Sequence, residues 1–394
     1  MSRQSMIVER ERSDSCPRVA PSLTRGTGIF GVAVPPTDTA RHPLRVVASA
    51  ARLRWVMGTP MRTGRDSISA SRRRARRTAN TVWIAGARSN VTSELVVGAL
   101  HESGVGARLV APAELIDLVG PGDTVLARLD VRRTLDGVED GLSALRWVER
   151  RGIRTLNPAP SLLACHDKLQ TAIRLTRSRV PHPSTGCVDA HNARDGLAFP
   201  LVVKPRFGSW GRDVFRCYSE PELRRCLNEV RKRAWFQRQG ALVQELVPPC
   251  GFDLRLIVAC GAVVGAVQRV APAGEWRTNI ALGGAREPVT PTKAASRLAI
   301  AAAEAVGGDL VGVDLLPLPN GGHVVLEVNG AVDFTSEYSL GRADVFEAVA
   351  RCILEERRPD ADPGSPSFDQ PVGCEIHRFR SSGSGKEDGK CTCY

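Results

Sequence analysis

The chain has 394 residues, a formal net charge of +12, 42% hydrophobic residues and 11 cysteines. That length buries a sizeable core in two or three domains, and no stretch approaches the ~18 consecutive apolar residues of a membrane span. Residues 1–80 hold 16 Arg and no Lys against 5 acidic residues, a net of +11, so the remainder is nearly neutral and makes no case for nucleic-acid binding by the folded part.

Residues 1–80 are rich in Ser, Arg, Pro and Gly and end in Arg72-Arg73-Arg74-Ala75-Arg76-Arg77, so they read as a disordered extension. They lack the apolar core of a secretory signal. All four methionines lie at positions 1, 6, 57 and 61, which leaves a later natural start open. The cysteines are scattered and contain no CxxC pair, a pattern that favours reduced thiols in a cytoplasmic protein over a disulfide framework or a structural zinc site.

Order begins at Thr81. Val82 to Gly86 reads as a buried strand, Val91 to Ser103 as a helix, and Thr124 to Val131 as a second strand. A helix over Gly141 to Arg150 follows, with Gly152 as its stop. Strands alternating with helices imply a small parallel α/β domain ending near Asn157-Pro158. Arg128 stands inside an apolar strand, either to meet a substrate carboxylate or to lie at a surface edge.

A helix over His166 to Ser178 carries Asp167-Lys168 at its start. Only six lysines occur in the chain, against 48 arginines, so a Lys closing an apolar strand, as Lys204 does in Phe199 to Pro205, stands out as a point-charge phosphate ligand. Directly after it comes Phe207-Gly208-Ser209-Trp210-Gly211-Arg212, whose backbone amides can approach phosphates; without a GK[ST] ending it is no Walker loop. A helix over Pro221 to Arg233 leads to a strand over Ala241 to Val247 that carries Glu245. The strand Phe252 to Ala259 alternates, placing Asp253, Arg255 and Ile257 on one face, and Ala262 to Val270 continues a meander. The loop Gly274 to Gly284 brings Arg277 and Asn279, and a helix over Pro291 to Val306 follows.

The hairpin Val311 to Asn329 is the centre of the reading. An Asn320-Gly321 turn, with positive φ at both central residues, pairs Pro319 with Gly322, Leu316 with Val325 and Asp314 with Glu327. Asn329 then shares the face of Glu327. Like charges directly opposite destabilise a sheet unless a cation lies between them; two carboxylates and an amide oxygen suit a hard divalent ion. Pro317 and Pro319 leave room for a bulge. A helix over Ala343 to Glu356 closes the fold, and residues 358–394, with their Cys391-x-Cys393, read as a disordered tail.

Lys at a strand end, glycine loop, Gln244-Glu245, Asp253-x-Arg255, Arg277-Thr278-Asn279, and Asp314, Glu327 and Asn329 on paired strands resemble, in this order, the ATP-grasp superfamily and within it the RimK-like carboxylate–amine ligases. The resemblance spans residues 81–357. It implies an α/β chain: a small parallel pre-ATP-grasp domain over 81–160, then an ATP-grasp domain over 161–357 whose two α+β subdomains clasp ATP. By that resemblance Lys168 and Lys204 contact ATP phosphates beneath the Gly208, Ser209 and Gly211 loop. Glu245 and the Leu246 backbone hold adenine, Asp253 the ribose side, and Arg277, Thr278 and Asn279 match a nucleotide-binding run. Asp314, Glu327 and Asn329 carry Mg²⁺ or Mn²⁺, Arg255 stabilises the acyl phosphate and the tetrahedral intermediate, and Arg255 and Lys204 are the catalytic residues.

The implied reaction forms an amide bond through an acyl phosphate and releases ADP and phosphate. Its substrates are glutamate or another amino acid and a carboxylate or carrier-protein acceptor, its partners neither nucleic acid nor membrane, and its form a homo-oligomeric dimer or tetramer. RimK proper continues N-A-S-P-G after the metal strand; Asn329-Gly330-Ala331-Val332-Asp333 here leans instead to the LysX type and the pterin–glutamate ligases. Two alternatives stand beside it. One is a non-catalytic ATP-binding module, which an ADP-release assay separates. The other is nucleic-acid binding by the Arg tail, which removal of residues 1–80 would abolish.

Overall fold

The computed structural model describes residues 80–86, 90–188 and 196–355. The Arg-rich extension through residue 79, the tail from residue 356 and the Cys391/Cys393 pair lie outside the described residues.

The first layer is a parallel sheet of four strands: β1 (Val82–Ala85), β2 (Ala107–Val110), β3 (Thr124–Ala127) and β4 (Arg154–Leu156), in the order β2-β1-β3-β4. Helices α1 (Val91–Glu102), α2 (Leu115–Leu118) and α3 (Leu142–Glu149) make the crossovers. The continuous apolar run Val82-Trp83-Ile84-Ala85 is buried at every residue, as a central parallel strand covered on both faces requires. Asn90 starts α1 by accepting a hydrogen bond from Ser93 N at 2.8 Å.

An additional helix, α4 (Ala159–His166), comes next, and the helix expected over His166 to Ser178 is met by α5 (Lys168–Arg177). α4 has no polar face and escapes a periodicity search, and α5 starts at Asp167, whose carboxylate caps Leu169 N. β5 (Thr185–Val188), β6 (Leu201–Pro205), β7 (Phe215–Cys217) and β8 (Ala241–Glu245) form an antiparallel sheet in the order β5-β8-β6-β7, backed by α6 (Glu220–Val230) and α7 (Ala234–Gln239).

The third sheet holds β9 (Phe252–Ala259), β10 (Ala262–Val270), β11 (Ala285–Pro288), β12 (Leu310–Pro317) and β13 (His323–Asn329), in the order β11-β10-β9-β12-β13. α8 (Lys293–Val306) covers it with Ala295, Ala299, Ala302 and Ala303, whose small side chains let the helix approach closely. α9 (Val345–Leu354) packs on the other side with β1 and the Phe334 ring, so the parallel sheet and the third sheet share one core. Asn157, fully buried just past β4, joins them further. Its Nδ2 donates to Leu310 O and Gly330 O at 2.8 and 2.9 Å, and its Oδ1 accepts from Asp309 N and Leu310 N at 2.7 and 2.9 Å.

The β12–β13 hairpin reaches the expected Asp314–Glu327 pairing by a different route. Leu318 N donates to Gly322 O and Gly321 N to Leu318 O, so the turn has three residues, Pro319, Asn320 and Gly321, and only Gly321 has positive φ (+82°). This pairs Leu316 with Val324, not with Val325, and a bulge at Leu326 then restores the register at Asp314.

The thiols also depart from expectation. Cys260, in the β9–β10 turn, is bonded to Cys352 of α9, while Cys165, Cys187, Cys217, Cys226 and Cys250 are free among the described residues.

Candidate active site

The two antiparallel sheets flank a cleft lined by residues of β6, β8, β9, β10, β12 and β13. Thirteen of the fifteen residues singled out from the sequence line it: Lys168, Lys204, Gly208, Ser209, Gly211, Glu245, Leu246, Asp253, Arg277, Thr278, Asn279, Asp314 and Glu327. Arg255 and Asn329 join it through their partners, Arg255 on Asp314 and Asn329 Nδ2 on Glu327 Oε1 at 3.2 Å.

The floor is a row of charges laid across four neighbouring strands. Register places Arg269 of β10 opposite Asp253 of β9, Arg255 of β9 opposite Asp314 of β12, and Asp314 opposite Glu327 of β13. Arg255 Nε and Nη2 reach the two oxygens of Asp314 at 2.6 and 2.7 Å. Arg269 grips both oxygens of Asp253 and also donates to Asp314 Oδ2 at 2.7 Å. The cation required between the facing acids is therefore supplied by arginine here, with Arg255 Nη2 3.8 Å from Glu327 Oε1 and Lys168 Nζ 3.3 Å from Glu327 Oε2.

Burial opposes ionisation of Glu327, yet Lys168, Arg255, Lys204 and Arg269 together hold its carboxyl well below the usual carboxylate range. Burial pushes the Asp314 carboxyl up, with Arg255 and Arg269 opposing. Lys204 is buried, and burial followed by the nearby Lys168 brings its ammonium down to about 8. Its Nζ donates to Gln244 Oε1 at 2.8 Å, which aims it along the cleft wall.

Asp253 departs from the place expected of it. Both its oxygens are taken by Arg269, Thr278 Oγ1 adds a bond of 2.6 Å, and the residue is 1% exposed; its carboxylate orients Arg269 instead of facing a ribose. Leu246 lines the cleft, but its N–H is donated to Pro200 O at 2.9 Å. Arg277 pairs with Glu275 and donates through Nη1 to Gly211 O at 2.9 Å, so the glycine loop and the 274–284 loop are docked on each other. Gly211 is required there: φ is +67°, and a Cβ would lie 2.7 Å from Asn279 Oδ1. Lys168 holds the other end of the loop, donating to Gly208 O at 2.5 Å.

Sequence reasoning missed Arg269, which is 3% exposed. The available signal was a buried-type Asp253 on an alternating strand, which demands a cation on the neighbouring strand.

The donor set fits a hard divalent ion: Asp314 and Glu327 face each other, the field keeps Glu327 ionised, and Asn329 touches it. No third His, Cys, Asp or Glu joins them among the described residues, so the remaining oxygens would come from phosphates and water.

The RimK-like ATP-grasp domain family matches residues 162–352. A glutamate–LysW ligase, ArgX, from Sulfurisphaera tokodaii is 32% identical over 218 residues, covering 53% of this chain and 75% of the relative. A probable α-L-glutamate ligase from Thioalkalivibrio sulfidiphilus is 33% identical over 243 residues, covering 60% and 78%. Among solved structures, a RimK domain ATP-grasp protein from Sphaerobacter thermophilus superposes with TM-score 0.53 at 21% identity, covering 70% of this chain and 100% of that one. D-alanine–D-alanine ligase from Bacillus anthracis, complexed with ATP, shares the fold with TM-score 0.52 at 17% identity, covering 70% and 96%.

Proposed function

Because the chain belongs to the RimK-like ATP-grasp family and is an ATP-dependent carboxylate–amine ligase, we propose that it joins glutamate or a related amino acid to a second substrate, with the charged row of β9–β13 as its reaction centre. The observation that carries this reading is that row. It is a largely buried set of two arginines and three carboxylates beside two lysines, facing the cleft between the two antiparallel sheets.

A carboxylate is a poor electrophile towards an amine, because its leaving group would be oxide. Transfer of the γ-phosphoryl group of ATP to one carboxylate oxygen makes an acyl phosphate and ADP; attack by the amine then expels phosphate and forms the amide. The protein's part is position and charge neutralisation. Lys168 and Lys204 present ammonium groups to the phosphates, and Lys204, at about 8, keeps its proton at neutral pH. Arg255 meets the charge that develops on the carbonyl oxygen, while Asp314, pinned in turn by Arg269, fixes its orientation. A divalent ion held by Asp314, Glu327 and Asn329 would, when bound, neutralise phosphate charge. The docked Gly208–Gly211 and 274–284 loops keep water from the acyl phosphate.

ADP release by the purified full chain, with ATP, Mg²⁺ or Mn²⁺, and paired amines and carboxylates, tests the reading. Turnover that requires one amine–carboxylate pair is expected, and Arg255→Ala should keep ATP binding but lose about 10²–10³ in ligation rate. Ligation at the wild-type rate in that variant would falsify the role of Arg255. ATP binding without turnover under every pair would overturn the ligase.

A further inference from the structure

Lys204 does not stand alone in its wall of the cleft. β5 pairs with β8 so that Thr185 is opposite Gln244, and β8 pairs with β6 so that Gln244 is opposite Val202, two residues before Lys204. Residues two apart on a strand share a face, so the three polar side chains form a diagonal line across three strands. Lys204 Nζ donates to Gln244 Oε1 at 2.8 Å, Gln244 Nε2 donates to Thr185 Oγ1 at 2.9 Å, and Thr185 Oγ1 donates to Pro183 O at 2.8 Å. Lys204 and Gln244 are buried, and Pro183, Gln244 and Lys204 all line the cleft, whereas Thr185 does not. The far end of the line is itself held. Pro181 O accepts from Val325 N at 2.9 Å, which ties this segment to the strand that carries Glu327.

The line has a direction, and Thr185 sets it. An ammonium has three donors and no acceptor, so it can meet only the oxygen of an amide; a hydroxyl can both give and take. The Thr185 proton is committed to the Pro183 carbonyl, so the lone pairs that face Gln244 can accept only an N–H. Turned the other way, Gln244 would set its NH₂ against the Lys204 ammonium and its oxygen against a hydroxyl with no proton left to give. Both ends of the amide therefore agree on one orientation. Among the described residues Gln244 Oε1 is the hydrogen-bond acceptor of Lys204, so fixing that oxygen fixes the ammonium. A lysine side chain is long and flexible, and an ammonium aimed in advance loses less freedom when a phosphate arrives.

We propose that Thr185 is a positioning residue for nucleotide binding, acting through Gln244 to keep the Lys204 ammonium aimed at the phosphates while touching no nucleotide itself. This rests on the ligase reading, which puts ATP phosphates at Lys204, and adds what holds that lysine in place.

Calorimetric titration of the full chain with a non-hydrolysable ATP analogue and Mg²⁺ tests it. Thr185→Val keeps the branching and removes the hydroxyl; it should weaken binding about fivefold or more, while Thr185→Ser stays within about twofold of wild type, as loss and retention of one hydrogen bond predict. Gln244→Leu should weaken binding at least as much as Thr185→Val. Adding Thr185→Val to Gln244→Leu should then change affinity by less than about twofold, because a residue that acts only through another has no effect once that other is gone. A packing role for Thr185 would instead give losses that multiply and a serine variant as weak as the valine one. Thr185→Ala serves where the valine variant does not fold. Wild-type affinity in Thr185→Val, no rescue by serine, or multiplying losses in the double variant would each overturn this proposal alone. A wild-type chain that binds no analogue would overturn the ligase reading and this proposal with it.

Discussion

Replacing Arg269 by Met removes a guanidinium that serves two buried carboxylates while keeping an unbranched side chain of similar length. In the wild type Arg269 is 3% exposed, its two nitrogens meet both oxygens of Asp253, and one reaches on to Asp314. Asp314 keeps Arg255 in the variant, and Asp253 keeps only Thr278 Oγ1. Removing one partner of a buried pair costs about 3–5 kcal/mol, because the other charge is stranded. For a domain of this size that is roughly a 10 °C fall in Tm. Urea unfolding across pH checks the origin of the loss. Burial without a counter-charge favours the neutral form of a carboxylate, so the deficit of the variant shrinks as pH falls. Asp253→Asn on top of Arg269→Met removes the stranded charge and should recover about 1–2 kcal/mol. A single variant within 1 kcal/mol of wild type, or a deficit that grows on acidification, would refute the buried-pair reasoning.

Three further outcomes follow from the geometry. Lys204 titrates at about 8, so kcat/KM for ATP should fall as pH rises through 8, and Lys204→Met should lose both activity and that limb of the profile. Cys352→Ser opens the Cys260–Cys352 bond across 92 residues and should cost about 2–5 kcal/mol; dithiothreitol should lower the wild type to the level of the variant, and a wild type indifferent to reductant would contradict it. Asn157→Leu strands Leu310 and Gly330 carbonyls and the Asp309 and Leu310 amides together, for a loss of about 3 kcal/mol or more in unfolding free energy, with a midpoint unchanged within error as the opposing result.

Local chemistry made most of the site legible in advance. Lys204 closing an apolar strand, the Gly208–Gly211 loop and the Asp253-x-Arg255 alternation are short-range patterns, and the structure gathers them on one cleft. What escaped depended on distance. Asn157 reads as a turn residue before Pro158, because the groups it satisfies lie about 150 to 170 positions away. Arg269 sits in a β10 strand whose pattern does not announce a buried charge; its partners on β9 and β12 decide its role. β5 and β7 are short edge strands, of four and three residues, too brief for alternation to register. The hairpin was read correctly at Asp314–Glu327 only because two departures cancel: a turn one residue longer than expected, and one unpaired residue beyond it.

That unpaired residue changes how the cleft can vary. A regular strand offers a cleft every second side chain, so each new contact would push a core residue out of place. At the bulge, Leu326 and Glu327 both line the cleft in succession, while Val325 and Val328 on either side remain in the core. Since Leu326 pairs with nothing on β12, its side chain is free of the ladder's alternation. Exchange of Leu326 would therefore retune the apolar surface offered to a bound nucleotide without moving the adjacent carboxylate. The hairpin thus keeps a fixed charge and an adjustable neighbour on consecutive residues.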